Sequence, residues 1–326
     1  MNRKTWPYLT LSLFLLNGCV SNDMGNSVLS QKFIHKYGFD ISEQEWESRD
    51  QEGQIVSTLK NGVKVVTSYE NGILHGQTTQ TFPNSSIIER VYVYDQGTLI
   101  KEVLNDKKGI PISQNAYEFD DRKIVTLWDD NGAPMSIEEF DGELLVEGSF
   151  FTPEHELEGV VESGFGERFR RDRKGLLLSR ELIENGIVSR YTTYHPNGHV
   201  HSISNYHDYQ LHGEQKKFTS AGKPLMDLQW DHGVLDGTKI VYRDGIKAAE
   251  IPYSKGQKHG TEVHFDETSN VTAEISWKND KKSGCSRFYA NNTEEQQWFY
   301  NGALVSQEKF HMLSDRASLV ADLTID

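Results

Sequence analysis

An aromatic residue followed by two glycines, three and seven positions on, recurs with a period of 23 to 24 residues, and nothing else constrains the fold as tightly. Tyr69-Glu-Asn-Gly72-Ile-Leu-His-Gly76 is one copy. Trp230 with Gly233 and Gly237, and Tyr253 with Gly256 and Gly260, are two more. Trp277 leads a copy with Asp280 in place of the first glycine and ends on Gly284. Tyr206 leads another, with Tyr209 in that place and Gly213 at the end. Weaker copies begin near Tyr94, Phe119, Phe140, Val161, Ile183 and Phe299. Those between 94 and 183 lack the second glycine but keep turn signals such as Ser163-Gly164 and Asn185-Gly186. From Tyr69 onward this amounts to about eleven units, the mark of a repeat architecture.

The unit reads as a β-hairpin. Asn-Gly and Asp-Gly supply the positive φ that tight hairpin turns require. A second turn per unit carries similar residues, Asn197-Gly198, Ala221-Gly222, Asp244-Gly245 and Asn291-Asn292. Between turns the chain alternates. Met226, Leu228 and Trp230 share one face and Asp227 and Gln229 the other; Ala273, Ile275 and Trp277 repeat this. Period two is strand patterning. The expected fold is all-β, an elongated, twisted antiparallel β-meander of about 22 strands. Strong coiling is expected to let the aromatic face cover itself. Short helical caps are expected at each end. Ser42-Glu-Gln-Glu45 before Trp46 is a capping box for a helix over 43–50, and Leu319, Val320 and Leu323 share a helical face near the C-terminus.

The motif resembles the bacterial variant of the membrane occupation and recognition nexus (MORN) repeat, as found in the antitoxin-like YwqK family. The resemblance spans about residues 57–305 and is clearest in Tyr69–Gly76, Trp230–Gly237 and Tyr253–Gly260. It implies an elongated meander and no single activity.

Arg3 and Lys4 precede an eleven-residue apolar run, Trp6 to Leu16, too short to span a bilayer as a helix but suited to a signal-peptide core. The run ends in Leu16-Asn17-Gly18-Cys19, which resembles a bacterial lipobox and implies a lipid-anchored Cys19. Val20 after the cysteine, by resemblance to enteric lipoproteins, favours the outer over the inner membrane of the cell envelope. The expected layout is a signal peptide over 1–18, lipidated Cys19 and a flexible tether over 19–30, and an N-terminal cap over 31–56. The repeat array follows over 57–305, and a C-terminal cap or tail over 306–326.

Net charge is −14 and the isoelectric point about 5.3, so nucleic acid is not an expected partner. Mean hydropathy of −0.61, with a single long apolar stretch, excludes a polytopic helical membrane protein. Two cysteines, Cys19 and Cys285, exclude a disulfide-stapled scaffold.

Candidate chemistry is sparse. His75, His212 and His259 each precede the second glycine of a repeat, which marks them as structural. His195, His199, His201, His207 and His212 are denser, and His199 and His201 lie two apart on one strand face; the alternatives are chelation and polar strand surface. Asp129, Asn131, Gly132 and Glu138 match part of a calcium loop but also fit a repeat turn. Arg168, Arg170, Arg171, Arg173 and Lys174 form a basic cluster in an acidic chain, open to anionic lipid or an acidic partner, or else a solvated hairpin loop. Cys285 has no orienting base at a recognisable spacing and reads as a packed thiol. The row Tyr69, Tyr206, Trp230, Tyr253 and Trp277 is either core or a binding platform. No catalytic residue, cofactor or metal site is assigned. The function expected is non-catalytic: a membrane-anchored scaffold for an unidentified protein partner. The alternatives are an antitoxin-like neutraliser and a glycan- or lipid-binding envelope protein.

Overall fold

The computed structural model describes residues 27–290 and 293–322, which hold 28 strands and two helices. Strands consecutive in sequence pair antiparallel, so the chain forms the all-β meander that its repeat implies. Cys19 and the segment before it, Asn291-Asn292 and Leu323 lie outside the described residues, as do the side chains of Leu319 and Val320. The chain divides into two compact units, one ending at Thr98 and one beginning at Leu99.

In the first unit the ladder starts at the strand Val28–His35, which pairs with Gly53–Leu59. That start lies inside the segment expected as a tether and well before residue 57. The reason is local. Backbone bonds such as Lys60 N–H to the Ser27 carbonyl (3.0 Å) complete an edge strand whatever the polarity of the side chains. Between these strands α1, Glu43–Ser48, carries the capping box: Ser42 Oγ accepts from Glu45 N–H and the Glu45 carboxylate accepts from Ser42 N–H. The helix buries Trp46 to 5% exposure between Phe33 (5.8 Å between rings) and the first lead aromatic, Tyr69 (6.0 Å, edge-on). Trp46 thus covers the start of the aromatic row.

In the second unit the hairpins continue to the short strand Ala303–Val305 and then α2, Gln307–Asp322. Phe310 of α2 packs on Trp298 (5.1 Å) and Tyr300 (6.3 Å), so that a helix covers the final hairpin as well. The dry core lies in the middle of this unit: Leu145, Phe150, Val161 and Ile183, with Phe140, Phe169 and Val188 packed against them. It is the stretch in which aliphatic residues replace the lead aromatics.

Most turns after the lead residues are two-residue turns with both φ positive. Examples are Asn71-Gly72 (51° and 74°), Ser163-Gly164 (50° and 79°) and Asn185-Gly186 (54° and 78°). This type I′ form matches the twist of the flanking strands. The second glycine has a different task. Gly76 stands opposite Tyr94, Gly213 opposite Trp230, Gly237 opposite Tyr253, Gly260 opposite Trp277 and Gly284 opposite Phe299. At Gly237, Gly260 and Gly284 the chain bulges and the strand splits into two pieces, as in Val234–Leu235 and Gly237–Arg243. These splits and the N-terminal strands raise the count from about 22 to 28.

Two repeat assignments need correction. Phe119 leads no unit: it sits in a longer turn, 95% exposed, and Tyr117 pairs with Lys123 at the end of the strand before that turn. Two of the middle units, those led by Phe140 and Val161, do carry a second glycine. Gly148 stands opposite Val161, and Gly166 opposite Ile183. Their distance from the turn glycine is not the four residues of the other copies.

Candidate functional site

The lead aromatics Tyr69, Tyr206, Trp230, Tyr253 and Trp277 are all half-buried. Side chains from the preceding strand lie over the rings, Lys258 Nζ 4.5 Å from the centre of Trp277 and Lys282 Nζ 5.1 Å from that of Phe299. The indole Nε1 atoms of Trp230 and Trp277 are buried. These contacts place the rings in the frame of the sheet rather than on an open platform.

The basic cluster does not form the free patch that its sequence suggests. Arg168 reaches Glu138 (2.6 Å) and Glu181 (3.2 Å), and Arg170 also reaches Glu138 (2.9 Å). Arg171 pairs with Glu158 (2.6 Å) and donates to the Gly175 carbonyl (2.7 Å); Arg173 pairs with Asp106 and Asp130, each at 3.2 Å. Only Lys174 of the five is exposed. The guanidiniums are consumed inside the chain because acids from other strands and turns converge on them.

Glu138 is the centre of this network and is 0% exposed. Burial pushes its carboxyl above the ordinary range, and that of Glu181 likewise, while Arg168 pulls both the other way. Ser136 and Ser179 donate to the two carboxylates. Converging carboxylates are therefore present, but they are buried and bound by arginine. A cleft of about 230 Å³ is walled by Asp129, Phe151, His155, Arg171 and Arg173, and neither Glu138 nor Glu181 lines it.

The calcium-like segment is a repeat turn. Asp129 Oδ1 accepts from the amides of Asn131 (2.8 Å) and Ala133 (2.9 Å), which holds its carboxyl below the usual range despite burial. Asp106, Asp172 and Asp266 make the same turn in other units. Glu138, the fourth member, is committed to arginine.

The histidines separate into two groups. His195 Nε2 bonds the Phe218 carbonyl (3.0 Å), His199 Nδ1 the Ser220 carbonyl (2.8 Å) and His201 Nδ1 the Thr193 hydroxyl (3.2 Å), so His199 and His201 do not converge as chelators. His207 and His212 lie elsewhere, beside His232 and Asp231. His232 was not singled out by sequence because it occupies an ordinary turn position; its one signal is its place twenty residues after His212. Cys285 is a half-buried free thiol whose Sγ lies 3.9 Å from the Ser286 carbonyl. No helix among the described residues is long and apolar enough to cross a membrane.

Residues 188–208 match the MORN repeat variant family. That stretch is one hairpin, running from the strand Ile187–Tyr194 through the turn at Gly198 into Val200–His207 and on to the next turn. No curated protein matches the chain.

Proposed function

We propose that this chain is a non-catalytic repeat scaffold of the bacterial cell envelope, held at the outer membrane by lipid on Cys19, and that it binds a protein partner along its turns. One observation carries the proposal. The residue after each two-residue turn that follows a lead position is set by the pairing of the two strands, yet its chemistry changes from unit to unit. Leu144, Phe165, Gln210, Val234, Gln257 and Lys281 occupy this position, and all are exposed. Leu144, Phe165 and Val234 leave 40%, 52% and 44% of their surface in solvent. A constant frame with a variable exposed position is how repeat arrays present a recognition surface. The Gly–aromatic pairs keep the frame, and the post-turn residues are free for a partner.

The test is photo-crosslinking in the native cell with probes at Phe165, Val234 and Lys281, read by mass spectrometry. A discrete protein captured at these positions is the expected result. Lipid or glycan adducts alone, or none, would overturn partner binding. Cys19→Ser tests the anchor separately: the variant is expected in the soluble fraction, and its retention in the membrane would refute the lipid attachment.

A further inference from the structure

We infer that His212, Asp231 and His232, with His207 alongside, bind a divalent transition-metal ion of the zinc class. One ligand atom from each of His212, Asp231 and His232 lies within 4.8 Å of the other two. The Asp231 carboxylate oxygen is 2.6 Å from His232 Nδ1 and 3.4 Å from His212 Nδ1. Tetrahedral zinc with bonds near 2.0–2.1 Å requires ligand atoms about 3.3 Å apart, between these two values. The ring centres of His212 and His232 are 4.9 Å apart, and His207 stands 5.7 Å from His212 and 6.2 Å from His232. The His207 ring is close enough to supply a fourth ligand by rotation of its side chain.

The other repeats provide an internal comparison. His75 occupies the position of His212 in an earlier unit. Its ring nitrogens face Glu70 (3.3 Å) and Asp95 (3.4 Å), and the Gln96 amide donates to Nδ1. His259 occupies it in a later unit and bonds Asn279 (3.1 Å). In the unit of His212 the residue matching Glu70 is His207 and the residue matching Gln96 is His232. A structural histidine has thereby acquired two imidazole neighbours while keeping one carboxylate. His212 Nδ1 is buried and makes no hydrogen bond. A buried nitrogen whose carboxylate neighbour stands 3.4 Å away, without a hydrogen bond, is poorly satisfied, and a metal ion is the partner that three imidazoles and a carboxylate can share. Asp231, His232 and His207 remain largely exposed, which gives an ion a way in.

The experiment is calorimetric titration of the untagged full chain, purified in detergent and freed of metal, with Zn²⁺. One ion per chain is expected. His212→Asn and His232→Asn should each weaken binding by at least about tenfold, while His199→Asn leaves it unchanged. Circular dichroism checks that the variants fold, and His232 lies in an exposed turn that tolerates asparagine. Co²⁺ in place of Zn²⁺ should give the visible spectrum of a four-coordinate nitrogen–oxygen site, lost in His232→Asn. Absence of stoichiometric binding, or binding equal to the parent in both variants, overturns the inference.

Discussion

The Cβ that Gly237 lacks would stand 2.9 Å from the Cβ of Gln229, on the strand before it. Gly237 also holds φ at 115°, where a β-branched residue is strained. Gly237→Val should therefore lose about 2–4 kcal/mol, combining backbone strain and overpacking. Gly213 serves the same repeat position at φ 76° with open space around its missing Cβ. Gly213→Ala should cost only the backbone part, about 1–2 kcal/mol. Denaturant unfolding compares the two, and equal losses would refute the steric contribution at Gly237.

Tyr209 replaces the turn glycine of its unit, at φ 63° and 65% exposed. An exposed tyrosine gains little there to offset left-handed strain. Tyr209→Gly should raise stability by about 0.5–1 kcal/mol, the relief of strain less the entropy of a freer unfolded chain. A lower melting temperature for this variant would mean that the ring makes a contact worth more than the strain.

Local features of this fold were legible and distant ones were not. Asn185-Gly186 and Asn301-Gly302 declare their turns because positive φ is a property of two adjacent residues. The capping box at Ser42 and Glu45 is equally local. Phe119 misled because its turn runs longer than two residues and moves the lead position back to Tyr117. Gly148 and Gly166 escaped because their bulges do not keep the four-residue spacing. The arginine cluster looked free because Glu138, Glu158 and Asp106 approach it only through the sheet. Of the His207–His232 corner, a repeat period places His212 near the following turn, but which side chains meet there depends on the pairing of strands.

Arg168 couples two buried carboxylates, so its removal tests the network directly. Arg168→Met strands Glu181 in a buried site and leaves Glu138 with Arg170 alone, and should cost about 3–5 kcal/mol. Glu138→Gln alone should cost a similar amount, since two guanidiniums lose their shared counter-charge. The double variant should lose less than the sum by at least about 1 kcal/mol, because each change removes the partner that the other leaves unpaired. A double-mutant cycle measures this, and strict additivity would show that the groups are solvated independently.

Tyr242 donates its hydroxyl to Asp227 (2.8 Å), and burial, with that bond and the nearby negative charge, pushes its pKa from 10.0 up to about 12. Between these values the unfolded chain gives up the phenolic proton and the folded chain keeps it. The contribution of Tyr242 to stability is therefore fully present below pH 10, declines as pH rises from 10 to 12, and is gone above that. Ultraviolet titration should show a late tyrosine step absent from Tyr242→Phe. The same variant should flatten part of the fall in melting temperature across that window. A phenol that ionises with the ordinary tyrosines would mean that Asp227 and Tyr242 are separated by water in solution.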